Sequence, residues 1–143
     1  MTAAKDWRNG VRVVRGQTLE EAMRAPSGGG RATAFDFSGG GGKTQIGAAS
    51  NAPGTKTGTH NHGHHEITLY VVKGRSEIRW GERLEFAANI GPGDFAYFQP
   101  NVPHQERNVS DTETVEFIVV RSDNERIVVK MDDQPVDRPE SVY

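Results

Sequence analysis

Short runs of strand-forming residues, separated by turns that contain glycine or proline, occur along most of the chain. Because side chains in a strand point alternately to opposite faces, alternating apolar and polar residues predict a half-buried strand. The stretch Ile67 to Val72 is apolar almost throughout, which is typical of a strand covered on both faces. These patterns predict strands at residues 11–14, 32–37, 67–72, 75–80, 83–88, 95–98, 104–109, 115–121 and 127–131.

A single helix is predicted near the N-terminus, at Thr18 to Arg24. Thr18 and Glu21 have the spacing of a capping box, in which two side chains bond the free N–H groups at the start of a helix. Pro26 and the glycines after it predict where the helix ends. About ten short strands with one helix predict an all-β fold, an antiparallel sandwich or barrel, with this short helix on its outside.

The length of 143 residues predicts one domain with a core of its own. We assign this domain to residues 1–131, and we expect residues 132–143, which are polar and contain two prolines, to form a tail that is loosely ordered or lies over the surface. The first residues lack the apolar segment of a secretion signal, and no run approaches the ~20 apolar residues of a membrane span. We therefore expect a cytoplasmic protein.

Charge and cysteine content exclude several classes of function. The net charge is −2 and both signs are interspersed, so there is no electrostatic reason to expect a nucleic acid or a membrane as a partner. The absence of cysteine excludes disulfides, thiol catalysis and cysteine-ligated zinc sites. Chemistry must therefore depend on other residue types, among which histidine is clustered.

Four of the five histidines lie within six residues of one another. Neutral imidazole is the commonest side-chain ligand for a transition metal. On one strand His60 and His62 point to the same face, roughly 6–7 Å apart, and can converge on one ion. A hairpin after Gly63 would bring His65 or Glu66 back beside this pair as a further ligand. The sequence therefore predicts a metal site, and a polar turn that binds metal only adventitiously is the alternative.

Two spacings resemble the two motifs of the cupin superfamily, which are small jelly-roll barrels also described as double-stranded β-helices. In the first motif a glycine and five residues precede His-x-His, and a glutamate and a further glycine follow. Here Gly54 and five residues precede His60-Asn61-His62, Glu66 comes after three residues, and Gly74 comes after seven more where the motif has six.

The second cupin motif has a glycine, five residues, Pro-x-Gly, two residues, a histidine, three residues and an asparagine. Here Gly93 is followed at the same spacings by Gln99-Pro100-Asn101, His104 and Asn108. Asn101 replaces a glycine, and asparagine is the next best residue for a left-handed backbone position. The resemblance implies a cupin fold whose metal site includes His104.

The extra residue before Gly74 leaves the third ligand of the first motif open. Counting forward from His62 places Glu66 at the ligand position. Counting back from Gly74 places Ile67 there, and strand alternation then turns His65 inward and Glu66 outward unless a β-bulge intervenes. The predicted ligands are His60, His62, His65 and His104, with Glu66 and His64 as the alternatives to His65.

This four-histidine set and the small size of the chain resemble the zinc cupin-type cyclases of aromatic polyketide biosynthesis. The resemblance implies one divalent ion, zinc first, with iron, nickel or manganese as alternatives. It also implies an aldol-type ring closure in a poly-β-keto chain carried on an acyl carrier protein. Four neutral imidazoles would leave the charge of the ion uncancelled, which suits a Lewis acid.

Two residues are predicted to serve as the catalytic base. Glu106 lies two residues after His104 and therefore on the same face of a strand, and Tyr97 is the weaker candidate. Their plainer interpretations are a salt bridge at the rim for Glu106 and ordinary packing for Tyr97. An Fe(II)-dependent cupin dioxygenase and a non-catalytic cupin that binds a metal or small ligand are the alternative functions. We expect a monomer or a homodimer.

Overall fold

The computed structural model describes residues 7–8, 10, 12–24, 30–35, 43–123 and 127–143. These residues form one helix, α1 (Gly16–Arg24), and eleven strands: β1 (Arg31–Phe35), β2 (Gln45–Asn51), β3 (His60–Asn61), β4 (Ile67–Lys73), β5 (Ser76–Trp80), β6 (Phe86–Ile90), β7 (Phe95–Phe98), β8 (His104–Arg107), β9 (Val115–Arg121), β10 (Val129–Lys130) and β11 (Glu140–Ser141). No helix among these residues is long and apolar enough to cross a bilayer.

The strands form two sheets. One has five strands in the order β1-β2-β9-β4-β7, and the other has six in the order β10-β3-β8-β5-β6-β11. All neighbours are antiparallel except β11, which lies parallel to β6. From β2 to β10 every step along the chain changes sheet except the step from β5 to β6, and β1–β2 and β10–β11 each stay within one sheet. This topology confirms the predicted all-β jelly roll, or double-stranded β-helix, with one short helix.

The core lies between the two sheets and is built by strand alternation. On β4, Ile67, Leu69 and Val71 are buried, whereas Tyr70 and Val72 are exposed. The prediction that both faces of this strand are covered is therefore wrong. Tyr70 instead packs against Phe95 of β7 on the outer face, with ring centroids 4.8 Å apart.

The helix begins earlier than predicted. The carbonyl of Arg15 accepts the backbone N–H groups of Thr18 and Leu19, so α1 starts at Gly16 and Thr18 lies inside its first turn. The predicted capping box is therefore wrong, and residues 12–14 form no strand. Val11 and the predicted helix end at Pro26 lie outside the described residues.

Strands β7 and β9 have the predicted bounds, but β6 starts three residues late, at Phe86. The delay arises because Leu84 has a left-handed backbone, with φ 49°, and is buried in the turn. The tail returns to the sheet along this strand, where Glu140 N–H donates to the Glu85 carbonyl at 2.7 Å. Part of the predicted surface tail is thus an edge strand.

Candidate metal centre

Three histidines converge on the inner face of the six-stranded sheet. His60 of β3 and His104 of β8 are directly paired across antiparallel strands, and His62 follows His60 by two residues. The ring centroids are 4.4 Å apart for His60 and His104, 4.8 Å for His60 and His62, and 5.1 Å for His62 and His104. Their ligand nitrogens all lie within 4.8 Å of one another. We call these three residues the histidine triad.

Hydrogen bonds determine which ring nitrogen of each triad member is available. Each Nδ1 lies close to a backbone carbonyl oxygen, which can only accept a hydrogen bond, so each Nδ1 carries the proton. The three contacts are His60 to Gly58 at 2.8 Å, His62 to Ile127 at 2.9 Å and His104 to Val102 at 3.1 Å. The Nε2 lone pair of each ring is therefore left for an ion, as is usual in metal-binding histidines.

One contact would favour the other tautomer of His62. Arg121 Nη1 lies 3.4 Å from the Nδ1 atom of His62, and a guanidinium can only donate. The contact to the Ile127 carbonyl is shorter by about half an ångström and lies at an ordinary hydrogen-bond length. We therefore assign the proton of His62 to Nδ1.

Burial keeps His62 and His104 neutral. Desolvation lowers the pKa of His104 from 6.5 to about 3 and that of His62 from 6.5 to about 4, and the nearby charges of Arg121 and His60 act in the same direction. The backbone carbonyls oppose this shift but do not outweigh it. Because only a neutral imidazole binds a metal, these two side chains require no deprotonation near pH 7.

The triad opens into a cavity of about 460 Å³, which we call the triad cavity. This volume lies within the range of small-molecule sites, roughly 300–1,000 Å³. Most of its wall is apolar, and the charged residues are few. The apolar residues are Ala49, Ile67, Leu69, Phe98, Phe117, Val119, Val128 and Met131, and the charged ones are Arg31, Glu106, Arg121 and Lys130.

Glu106 lies where the sequence predicts it, two residues beyond His104 on β8 and in the wall of the triad cavity. Its backbone N–H donates to Thr57 Oγ1 at 3.0 Å, which holds this part of the strand in place. Desolvation raises the pKa of Glu106, and the smaller opposing effects come from Arg31, His60 and Arg121. A carboxylate in this position is suited to accept a proton from a molecule bound in the cavity.

His65 lies outside the triad, contrary to the prediction that it is the fourth ligand. The predicted hairpin after Gly63 does not form, because β3 pairs with β10 and β8 whereas β4 pairs with β7 and β9 in the other sheet. The turn between them starts at Gly63, whose φ is 57°, and the His65 N–H bonds to the His62 carbonyl at 3.2 Å. His65 is buried, but it groups with His64 and Asp123 instead.

Tyr97 and Glu66 also lie away from the triad cavity. Phe98 faces inward on β7, so its neighbour Tyr97 faces outward and is exposed. The hydroxyl of Tyr97 donates to the Glu66 carboxylate on this outer surface, and this bond raises the pKa of Tyr97. The prediction of Tyr97 as a base is therefore wrong in its geometry. The cavity is lined instead by Ile67, the residue at the third ligand position of the first motif when it is counted back from Gly74.

The arginines of the triad cavity are absent from the predicted site residues. Arg121 occupies the same face of β9 as Val115 and Phe117, and it is almost fully buried. A charged residue in an inward register position was a usable signal. Arg31, on the edge strand β1, gave no such signal, because its approach to the cavity depends on the order of strands in the sheet.

Comparison with known proteins identifies the fold family. The family model described as the cupin domain matches residues 50–121, which is just over half of the chain and contains the whole triad. No curated protein matches the chain.

Several solved structures share the fold. A Klebsiella pneumoniae protein with a double-stranded β-helix domain is 21% identical, with a TM-score of 0.66, over 86% of this chain and 99% of that one. The polyketide cyclase RemF from Streptomyces resistomycificus is 21% identical, with a TM-score of 0.61, over 73% of each chain. Oxalate decarboxylase from Bacillus subtilis is 22% identical, with a TM-score of 0.54, over 62% of this chain and 24% of that one. At these identities the similarity shows a common fold.

Proposed function

The chain belongs to the cupin family, and we propose that it is a metal-dependent polyketide cyclase that closes a ring in a poly-β-keto chain by an aldol-type reaction. The observation that carries this proposal is the placement of three imidazoles, a carboxyl group and guanidinium groups around one largely apolar cavity. A solved structure of the same fold is a polyketide cyclase, but the proposal rests on the cavity, because fold alone does not determine function.

The triad fits a divalent metal ion. Its three Nε2 atoms carry lone pairs, and the imidazoles of His62 and His104 are neutral near pH 7. Imidazole nitrogen is a suitable ligand for zinc, copper, iron and nickel, and we propose zinc. A bound zinc ion supplies a Lewis acid for a carbonyl compound. The residues of the chain then determine where protons move and which atoms of the substrate meet.

Glu106 is the proposed base. A methylene group between two carbonyls of the substrate is acidic, and the carboxylate of Glu106 would take its proton. Desolvation raises the pKa of this carboxyl group, which makes its ionised form a stronger base than an exposed glutamate. The guanidinium groups of Arg31 and Arg121 line the same cavity, and their charge stabilises the negative oxygen that develops as the proton leaves.

The apolar wall would hold the substrate chain in the conformation that closes the ring. The side chains of Leu69, Phe98 and Phe117 lie on the inner faces of three neighbouring strands, and they offer a flexible chain a surface without hydrogen-bonding groups. A poly-β-keto chain folded against them places its carbanion and its target carbonyl together, which replaces a search in solution by a defined geometry. We propose that an acyl carrier protein delivers this chain.

The test is a single-turnover assay with zinc-loaded protein and a thioester poly-β-keto analogue under strict exclusion of oxygen. The new hydroxyl group formed by ring closure leaves as water, so we expect an aromatic product with zinc alone, detected by its absorption and by a mass lower by one water. A protein that is inert with zinc and active only with iron and oxygen would refute the cyclase and establish a dioxygenase. Binding of the analogue without turnover under either condition would indicate a non-catalytic cupin.

A further inference from the structure

A second group of metal-ligand side chains lies outside the triad. The ligand atoms of His64, His65 and Asp123 all lie within 4.8 Å of one another. His64 Nε2 is 3.8 Å from Asp123 Oδ2, and the two imidazole rings are 4.8 Å apart at 75°. We propose that these three residues form a second transition-metal site, separate from the triad and serving as a structural clamp.

The backbone brings this second site together. At the end of β9, Ser122 N–H donates to the Glu66 carbonyl at 3.0 Å, and Glu66 N–H donates to Ser122 Oγ at 3.0 Å. The neighbouring residues Ile67 and Arg121 are paired within the five-stranded sheet. His65 and Asp123, which flank these contacts, are therefore held next to each other by paired main chain. Their approach is a property of the sheet register.

The donor set suits zinc, cobalt or nickel. Two imidazoles and one carboxylate provide nitrogen and oxygen ligands, and the carboxylate cancels part of the charge of the ion. Ligand atoms around tetrahedral zinc lie about 3.4 Å apart, since each is about 2.0–2.1 Å from the ion. The separation of 3.8 Å between His64 and Asp123 is already near this value. Their side chains are 62% and 53% exposed, so they can close the remaining gap without disturbing the core.

Burial divides the roles within this site. His65 is 1% exposed and belongs to the packed interior, so it would provide a preset anchor. His64 and Asp123 reach it from the surface and leave room for water as a further ligand. The histidine cluster of the sequence thus supplies two sites. His60 and His62 serve the triad, and His64 and His65 serve the second site.

An ion at the second site would connect two parts of the chain that are distant in sequence. It joins the turn after His62 to the end of β9, and the chain beyond β9 returns at Ile127, whose carbonyl bonds His62. Val128 and Met131 then line the triad cavity. An ion at Asp123 would hold the end of β9, from which the chain continues to this part of the wall, and because it binds only the folded chain it would raise the thermal stability.

The proposal is tested by counting ions in the full-length protein after dialysis against micromolar zinc. The variants are His64→Gln and Asp123→Asn for the second site, His104→Gln for the triad, and Asp111→Asn as a control that removes an exposed acid elsewhere. We expect two zinc ions in the wild type and the control, and one in each of the other variants. Circular dichroism checks that each variant is folded.

Thermal melting provides an independent measure. Zinc should raise the melting temperature of the His104→Gln variant, and adding Asp123→Asn to that variant should abolish the increase. Retention of a single ion that only His104→Gln removes would overturn the second site and leave the triad intact. Binding at the second site only at millimolar zinc would also overturn it. A wild-type protein with a single ion that Asp123→Asn removes and His104→Gln keeps would support the second site and count against the proposed enzyme.

Discussion

Acid should destabilise the metal-free protein through His104. The side chain of His104 is 2% exposed, and desolvation lowers its pKa from 6.5 to about 3. In the unfolded chain the same histidine takes up a proton as the pH falls through about 6.5. Between these two pH values the unfolded state binds more protons than the folded state, so the free energy of unfolding decreases as the pH is lowered.

The size of this effect follows from the difference between the folded and unfolded pKa. Each pH unit below 6.5 favours the protonated unfolded state by about 1.4 kcal/mol, so His104 costs about 2 kcal/mol between pH 7 and pH 5. His62 acts in the same direction, but it is only partly buried and its contribution is reduced by solvent. Glu106 acts in the opposite direction, because burial raises its pKa.

Urea unfolding of metal-free protein at pH 7 and pH 5 measures this difference. In His104→Gln the titrating group is absent, so the loss of stability between the two pH values should shrink by about 2 kcal/mol relative to wild type. The control is Val72→Ala, since the side chain of Val72 is exposed and carries no titrating group, and it should keep the wild-type dependence. An equal pH dependence in wild type and His104→Gln would refute the reasoning.

Two further predictions concern the cavity and the core. Glu106→Gln should lower kcat by about 10²-fold or more, with zinc content unchanged, because it removes the base and keeps the shape. Tyr97→Phe, on the outer face, should keep the wild-type kcat, and an equal loss in both variants would contradict the assignment. Leu69→Ala should lower the free energy of unfolding by about 2–5 kcal/mol. Val72→Ala, exposed on the same strand, should change it by less than about 0.5 kcal/mol in the same denaturation experiment.

Local patterns predicted the elements of the fold well where turn residues bound a run of strand-forming residues. The segment Phe95–Phe98 follows a glycine turn, and Val115–Arg121 is rich in β-branched residues, and both were predicted with the observed bounds. The turn before β6 was harder, because a buried leucine with a left-handed backbone gives no local signal of a turn.

Predictions that depended on strand pairing were less accurate than those that depended on local patterns. The triad members come together as the cupin motifs imply, with His60 paired directly to His104. The position of His65 was mispredicted because a hairpin was assumed after Gly63, whereas the two flanking strands belong to different sheets. The order of strands in a sheet depends on distant parts of the chain, so it is absent from the local pattern. For the same reason the approach of Arg31 to the cavity was not foreseen.

The triad cavity owes its electrostatic character to a small number of charged residues, because Ile67 lines it and the carboxylate of Glu66 bonds Tyr97 on the outer surface. With an apolar side chain at the open ligand position, the charge of a bound ion is not cancelled by its protein ligands. Arg31 and Arg121 add positive charge to the same cavity, and among its described lining residues Glu106 is the one carboxylate. A cavity with this balance favours an oxygen that becomes negative during reaction. It also leaves its one carboxylate outside the triad, where it is available to take a proton instead of serving as a ligand.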